Sequence, residues 1–400
     1  MRVALLSRGA HPLHDPGGLE RAVYQLARHL QARGVETVLL TRPATREGTF
    51  PGEVLTVPYG GRASAHGRIL DRTLHYPRFS DRLGERVAAL VRAGRVDVVH
   101  AQGLTALGYG RRRRRDSTLT APLIMNPQGM EEHKTAGLKR LALSRLRLLS
   151  RRAARVSDRV IATDESTRAE VVALLGVEPA NVVVLPNGID PDAIAAATPS
   201  DSRVAAEGAV PALAEADPVF VSVGRIEGYK GFEDTLRAFR VLADAGRLPP
   251  RWAWVVVGDG PGRTALAWRA GGSLTGHVHL AGRVDEPTLH ALYARADVFV
   301  HASRFEGSSL VTLEAMAHGL PVVATSAGGI PDKVEDGVTG RLVSPGDVDA
   351  LAAAIAELAR DGSRAEMGRQ GRARALACFA WPAIAERTLA LYRELTERRP

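Results

Sequence analysis

Cysteine is almost missing from this chain. Cys378 stands alone in 400 residues, which excludes an intramolecular disulfide framework and any cysteine-based metal cluster. Lysine is nearly as scarce, four residues against 49 arginines. No apolar run reaches the ~18 residues that a membrane-spanning helix needs. The opening MRVALLSRGA meets Arg8 too early for the apolar core of a signal sequence and reads as a first buried strand. No G-x-G-x-x-G follows that strand, which argues against a Rossmann oxidoreductase. These absences lead us to expect a cytoplasmic protein.

What remains is a globular profile, 45% hydrophobic and 24% charged, with length enough for two domains. The net charge of +9 is unevenly placed. Residues 1–200 hold 30 Lys and Arg against 19 Asp and Glu, a net +11, while the remainder is close to neutral. A basic first half suits an anionic partner, although an arginine skew also arises from genome base composition alone.

Short apolar runs alternate with helix-length amphipathic stretches. VALLS (3–7), ETVLLT (36–41), EVLTV (53–57), VDVVH (96–100), LIMN (123–126), RVIAT (159–163) and VVVLP (182–186) read as strands. After an Ala/Pro/Ser/Asp-rich stretch over 191–217, taken as a linker, the alternation restarts. PVFVSVG (218–224), WAWVVVGDG (252–260), HVHLAG (277–282), DVFVHAS (297–303), PVVATS (321–326) and GRLV (340–343) form the second series. This pattern predicts an α/β protein of two doubly wound parallel-sheet domains, 1–200 and 215–380. A last helix over 381–400 is expected to pack back on the first.

Chemistry concentrates at strand ends. In RFEGSSLVTLEAMAHGLPVVATSAGG (304–329) a strand turns through Gly307 into a helix near Ser309. Free amides at Ser309, Leu310 and Val311 suit a diphosphate. Glu306 and Glu314 lie at two levels beside it and can accept hydrogen bonds from sugar hydroxyls. In SVGRIEGYKGFEDTLRAF (222–239), Arg225 and Lys230 follow a strand and precede a helix, where cations can face a leaving diphosphate. That placement is otherwise unfavourable, because a helix start repels positive charge. Gly17-Gly18 stands before a helix and permits close approach of backbone to phosphate. Asp190-Pro-Asp192 and Asp347-Val-Asp349 mimic metal-binding pairs, but both open helices and read as caps. No other carboxylate or histidine cluster has ligand spacing.

These motifs resemble the family-4 retaining glycosyltransferases of the GT-B fold. The match runs through E-G-x-x-L-V-x-L-E-A-M-A-x-G-x-P-V-V-A-T from Glu306, G-R-x-x-x-x-K-G from Gly224 to Gly231, G-G-x-E-R from Gly17 to Arg21, and LPNGID over 185–190. The resemblance implies two Rossmann-like domains facing an interdomain cleft, with the nucleotide-sugar donor on the second. It implies that Glu306 contacts the transferred sugar, as a binder rather than a nucleophile, and that Glu314 contacts the ribose. Arg225 and Lys230 would stabilise the departing diphosphate with the amides near Ser309 and Leu310. Gly224, Gly258, Arg283 and Val284 would line the nucleotide.

Two departures stand out. Ser308-Ser309 replaces the Phe-Gly that the family usually carries, and Gln128 replaces a histidine, with His133 five residues on. Gln128 can position a sugar but cannot shuttle a proton. Candidates on the acceptor side are His100, equally readable as a satisfied strand-end residue, His133, which could otherwise swing in for the missing histidine, and Asn187. The implied reaction is retaining transfer of a hexose-type sugar from a nucleoside-diphosphate sugar to a hydroxyl acceptor, with no metal, cofactor or nucleic acid. A nucleotide-sugar hydrolase or epimerase, or a non-catalytic nucleotide-sugar-binding partner protein, is the alternative. In Leu138–Arg155, Leu138, Leu141, Ala142, Leu148 and Leu149 share an arc opposite Lys139, Arg140, Arg147 and Arg151. That arc is expected to pack on the sheet, with weak contact to an anionic membrane surface as the other reading.

Overall fold

A computed structural model describes residues 1–15, 17–60, 71–127, 130, 133, 141, 143–360 and 362–397. They divide into two units, Met1–Asn187 with Trp381–Pro400, and Gly188–Ala380.

In the first unit seven strands form one parallel sheet: β1 (Arg2–Leu6), β2 (Glu36–Thr41), β3 (Glu53–Thr56), β4 (Val98–Gln102), β5 (Leu123–Asn126), β6 (Arg159–Ala162) and β7 (Val182–Val184). Their order is β3-β2-β1-β4-β5-β6-β7. The strands read as unbroken apolar runs because both sheet faces are covered. Ala4, Leu6, Val38 and Leu40 join one core and Val3, Leu5 and Leu39 the other, as the two-residue period of a strand requires. The second core takes Trp381, Ile384, Leu389, Leu391 and Tyr392 from the C-terminal helix Trp381–Glu397.

The second unit has a six-stranded parallel sheet. Its strands are β8 (Val219–Val223), β9 (Ala253–Val257), β10 (Val278–Gly282), β11 (Val298–His301), β12 (Val322–Thr325) and β13 (Gly340–Val343). The order β10-β9-β8-β11-β12-β13 reverses between β8 and β11. Such a switch point leaves room outside the strand ends for a ligand.

Two expectations need correction. Residues 191–217 are not a linker. They form helices Pro191–Ala197 and Ser202–Ala209 inside the second unit, capped by Asp190 on the Ala193 amide at 3.2 Å and Asp201 on the Val204 amide at 3.0 Å. The alanines that gave the stretch its bland composition are strong helix formers, and Asp and Pro sit where helices start. The first domain accordingly ends at Asn187 rather than near 200.

The basic helix also turns a different face inward. Within Ser144–Arg155 the buried side is Leu146, Leu149, Ser150, Ala153 and Ala154. Leu148 is 48% exposed and Leu141 72% exposed, so the arc drawn from the sequence splits. Residues 134–140 and 142 lie outside the described part. No described helix is long and apolar enough to cross a membrane.

Candidate active site

The loops after β8 and β11 emerge side by side at the switch point. Residues 224–231 are anchored by the amide of Gly224 on the Val257 carbonyl and that of Ile226 on the Asp259 carbonyl, each at 3.0 Å. The second loop, 302–309, is tied to the first. The Arg304 amide donates to the Tyr229 carbonyl at 2.7 Å, and the Ser303 hydroxyl is 3.2 Å from the same oxygen. Arg304 also grips the buried Asp234 with two hydrogen bonds of 2.8 and 2.9 Å.

Two glycines make this fit. Gly231 has φ +73°, and a Cβ there would lie 1.7 Å from the Ala302 carbonyl oxygen. Gly328, at φ +54°, would place a Cβ 1.8 Å from the Glu306 carbonyl oxygen. Any side chain at either position would push the second loop away.

This stitching brings Lys230 and Glu306 together, 76 positions apart in sequence. Lys230 Nζ is 2.8 Å from Glu306 Oε2, and His301 Nε2 is 2.8 Å from the same oxygen. Burial pushes the Glu306 carboxyl up, but the His301 hydrogen bond and the charges of His301 and Lys230 prevail and hold it at about 2. Both recognised donors fall on Oε2, so Oε1 has no hydrogen-bond partner among the described residues. Beyond Glu306, Gly307 is exposed and the shielded Ser308 hydroxyl has no described partner. Ser309 then opens the helix Leu310–Ala317, its hydroxyl 2.8 Å from that of Thr312.

Glu314 is half-buried on that helix. It accepts a 3.2 Å hydrogen bond from the Tyr293 hydroxyl. Burial first, then the Glu314 charge, pushes the Tyr293 hydroxyl well above its ordinary value, so it stays a donor. Tyr293 stacks on His318, whose Nε2 is 2.9 Å from His290 Nδ1. Arg225 is mostly exposed and pairs with Glu227 at 2.8 Å, apart from the buried cluster. Arg283 is exposed and Val284 half-buried after β10, and the Gly258 amide donates to the Gly282 carbonyl at 2.7 Å.

The candidates in the first unit do not form a comparable cluster. His100 is 2% exposed, with Nδ1 2.6 Å from the Tyr392 hydroxyl. It holds the C-terminal helix, so of its two readings the satisfied strand residue fits and the acceptor contact does not. His133 is half-buried in a turn, its amide donating to the Met130 carbonyl at 2.9 Å. Asn187 is half-buried at the end of the unit, and Gln128 lies outside the described residues. Gly17 is extended and precedes helix Gly18–Gln31, with open space over Gly18. Asp190 and Asp347 both cap, the latter accepting from the Ala350 amide at 2.9 Å. Among the described residues no group of three His, Cys, Asp or Glu side chains is placed to hold a metal ion.

Sequence reading missed His301, Asp234 and Tyr293. His301 left one signal, a polar residue ending the apolar strand VFVH five positions before Glu306. Asp234 and Tyr293 lie inside helices and gave none.

Comparison with known proteins shows the family and the fold. Residues 16–193 match the model of Glycosyltransferase Family 4, and residues 217–361 that of Glycosyl transferases group 1. The chain is 32% identical to the D-inositol 3-phosphate glycosyltransferase of Kribbella flavida, over 99% of this chain and 96% of that one. The chain belongs to the family-4 glycosyltransferases. The D-inositol 3-phosphate glycosyltransferase of Mycobacterium avium is 30% identical over 100% of this chain and 96% of its own length. Among solved structures, sucrose-phosphate synthase from Thermosynechococcus elongatus superposes with a TM-score of 0.74 at 24% identity, covering 100% of both chains. Anabaena HepE in complex with UDP gives 0.70 at 21% identity, over 98% of this chain and 100% of that one. At these identities the structures establish a shared GT-B fold of two Rossmann-like, parallel-sheet domains.

Proposed function

We propose that this glycosyltransferase moves a hexose from a nucleoside-diphosphate sugar to a hydroxyl acceptor, with retention and without a bound metal. The observation that carries the reading is the Lys230–Glu306 pair at the switch point, beside a helix start. A cation and helix amides there would suit a diphosphate, and a carboxylate with one open oxygen would suit a sugar. Solved relatives in complex with UDP and with UDP-glucose make uridine donors the first to test.

Catalysis rests on the leaving group. Lys230, Arg225 and the amides at Ser309 and Leu310 stabilise charge that develops on the departing diphosphate. Glu306 fixes the sugar by hydrogen bonding, with Gln128 as a further positioning contact, and Glu314 holds the ribose. The leaving phosphate takes the acceptor proton on the face it vacates, so configuration is retained without a protein nucleophile. A phosphorylated polyol is the acceptor class we favour. The net +11 of residues 1–200 suits an anionic substrate, and relatives sharing about a third of the sequence are named for D-inositol 3-phosphate.

The test is transfer from UDP-glucose and other nucleoside-diphosphate sugars to D-inositol 3-phosphate, before and after exhaustive EDTA treatment. We expect an α-linked product from an α-linked donor, formed at the same rate after EDTA. Release of free sugar at equal rate with and without acceptor would favour the hydrolase reading, and recovery only with Mn²⁺ or Mg²⁺ would refute metal independence.

A further inference from the structure

Glu306 has two partners on one oxygen, and a donor substrate would compete for only one of them. Lys230 Nζ sits on the loop stitched to the one that runs into helix Leu310–Ala317, and it carries three N–H groups. When a diphosphate recruits it, its hold on Glu306 weakens. Glu306 is a carboxylate with a side chain only 10% exposed, and a buried charge stripped of its partner is costly.

His301 is built to remain. Its side chain is 3% exposed and its ring stacks on Phe299 at 5.8 Å with planes 15° apart, so the imidazole is fixed by packing. The residue sits in β11 opposite Ala324 of β12, on a rigid strand rather than on a loop. An ionised carboxylate only accepts, so the 2.8 Å contact fixes the proton on His301 Nε2. The Glu306 backbone is itself held by the close approach of Gly328. Side-chain rotation is the freedom left to Glu306, and the imidazole restrains it.

We propose that His301 is a positioning residue that holds Glu306 Oε2 when the donor's diphosphate draws on Lys230, keeping Oε1 directed to a hydroxyl of the transferred sugar. The inference rests on the nucleotide-sugar reading above and adds a division of labour to it. Lys230 serves both phosphate and carboxylate, whereas His301 serves the carboxylate alone. His301 should therefore matter for the sugar and not for the nucleotide.

Two replacements separate the donor group from the ring. His301→Phe keeps the stacked volume and removes the N–H. His301→Gln keeps a donor at similar reach and removes the ring. Wild type and both variants are titrated calorimetrically with UDP, GDP, UDP-glucose and GDP-mannose, with steady-state transfer and thermal unfolding measured on the same samples.

In His301→Phe we expect nucleoside-diphosphate affinity to stay within about twofold, while sugar-nucleotide affinity and kcat each fall about tenfold or more, the scale of one hydrogen bond to a charged group. His301→Gln should recover most of both. Unchanged sugar-nucleotide affinity and kcat in His301→Phe would overturn the proposal. So would equal losses for nucleoside diphosphate and sugar nucleotide accompanied by a lower Tm, which would make the role structural. Failure of wild type to bind any of the four probes would instead refute the nucleotide-sugar reading, and this inference with it.

Discussion

In the second unit two charged candidates, Lys230 and Glu306, are bound to each other within a buried network, whereas in the first the polar candidates are scattered or absorbed into the core. Lys230, Glu306 and His301 share one carboxylate oxygen, Arg304 grips Asp234, and Tyr293 holds Glu314. His100, at the centre of β4, spends its bond on Tyr392 of the C-terminal helix. The difference teaches that a polar residue in an apolar strand is not made functional by its place in the sequence. Burial is permitted to charges only when they are paired, which is why Lys230, Glu306 and Asp234 are all found in contact with an opposite charge. His100 is held by one hydrogen bond and a packed ring, its Nε2 buried without a partner among the described residues.

The largest expected effect tests the networked half. Lys230→Ala should cost roughly 2.7–4 kcal/mol of transition-state stabilisation, or about 10²–10³ in kcat, if it acts as one preorganised donor. His100→Phe should leave kcat near that of wild type. Comparable losses in steady-state kinetics would erase the contrast.

The next prediction concerns His100 and acid. Burial lowers its imidazole from the ordinary 6.5 to about 4. Between those values the unfolded chain binds a proton that the folded protein refuses, so stability is full above pH 6.5 and declines as pH falls towards 4. The loss is up to about 3 kcal/mol. Denaturant titrations of wild type and His100→Phe across this range should diverge in slope, and parallel curves would show that His100 is not a buried neutral group.

Gly231→Ala sharpens the picture of the stitched loops. A side chain at φ +73° and 1.7 Å from the Ala302 carbonyl oxygen must displace the loop that carries Glu306. We expect a loss of about 1–3 kcal/mol in stability, together with a fall in sugar-nucleotide affinity. Wild-type values in both measurements would mean that the loop fit is unimportant.

The smallest effect belongs to the basic helix of the first unit. Leu148 is exposed, and Arg145 and Arg152 lie three and four residues to either side, on the same helical face. Because the buried leucines are a different set, this face is open to an anionic surface. Sedimentation with anionic vesicles should show weak binding that falls with salt, reduced in Arg145→Glu/Arg152→Glu by about 1 kcal/mol per charge. Binding that is unchanged in the variant would assign the contact elsewhere.

The sequence by itself determined the thirteen strands and their parallel pairing into two sheets, because strands covered on both faces must be continuous apolar runs separated by helices. It also singled out Lys230, Glu306 and Glu314 as candidates, the two glutamates through the family frame around them rather than through their position alone. It failed where composition resembled a linker but encoded capped alanine helices at 191–209, and where helical phase within Ser144–Arg155 depended on what lay beneath. Only the tertiary structure decided which charges meet. Lys230 reaches Glu306, and Arg304 reaches Asp234, because the sheet order reverses between β8 and β11 and two glycines let the emerging loops touch. Local sequence sets the period of an element, but partners 70 or more positions apart are chosen by packing alone.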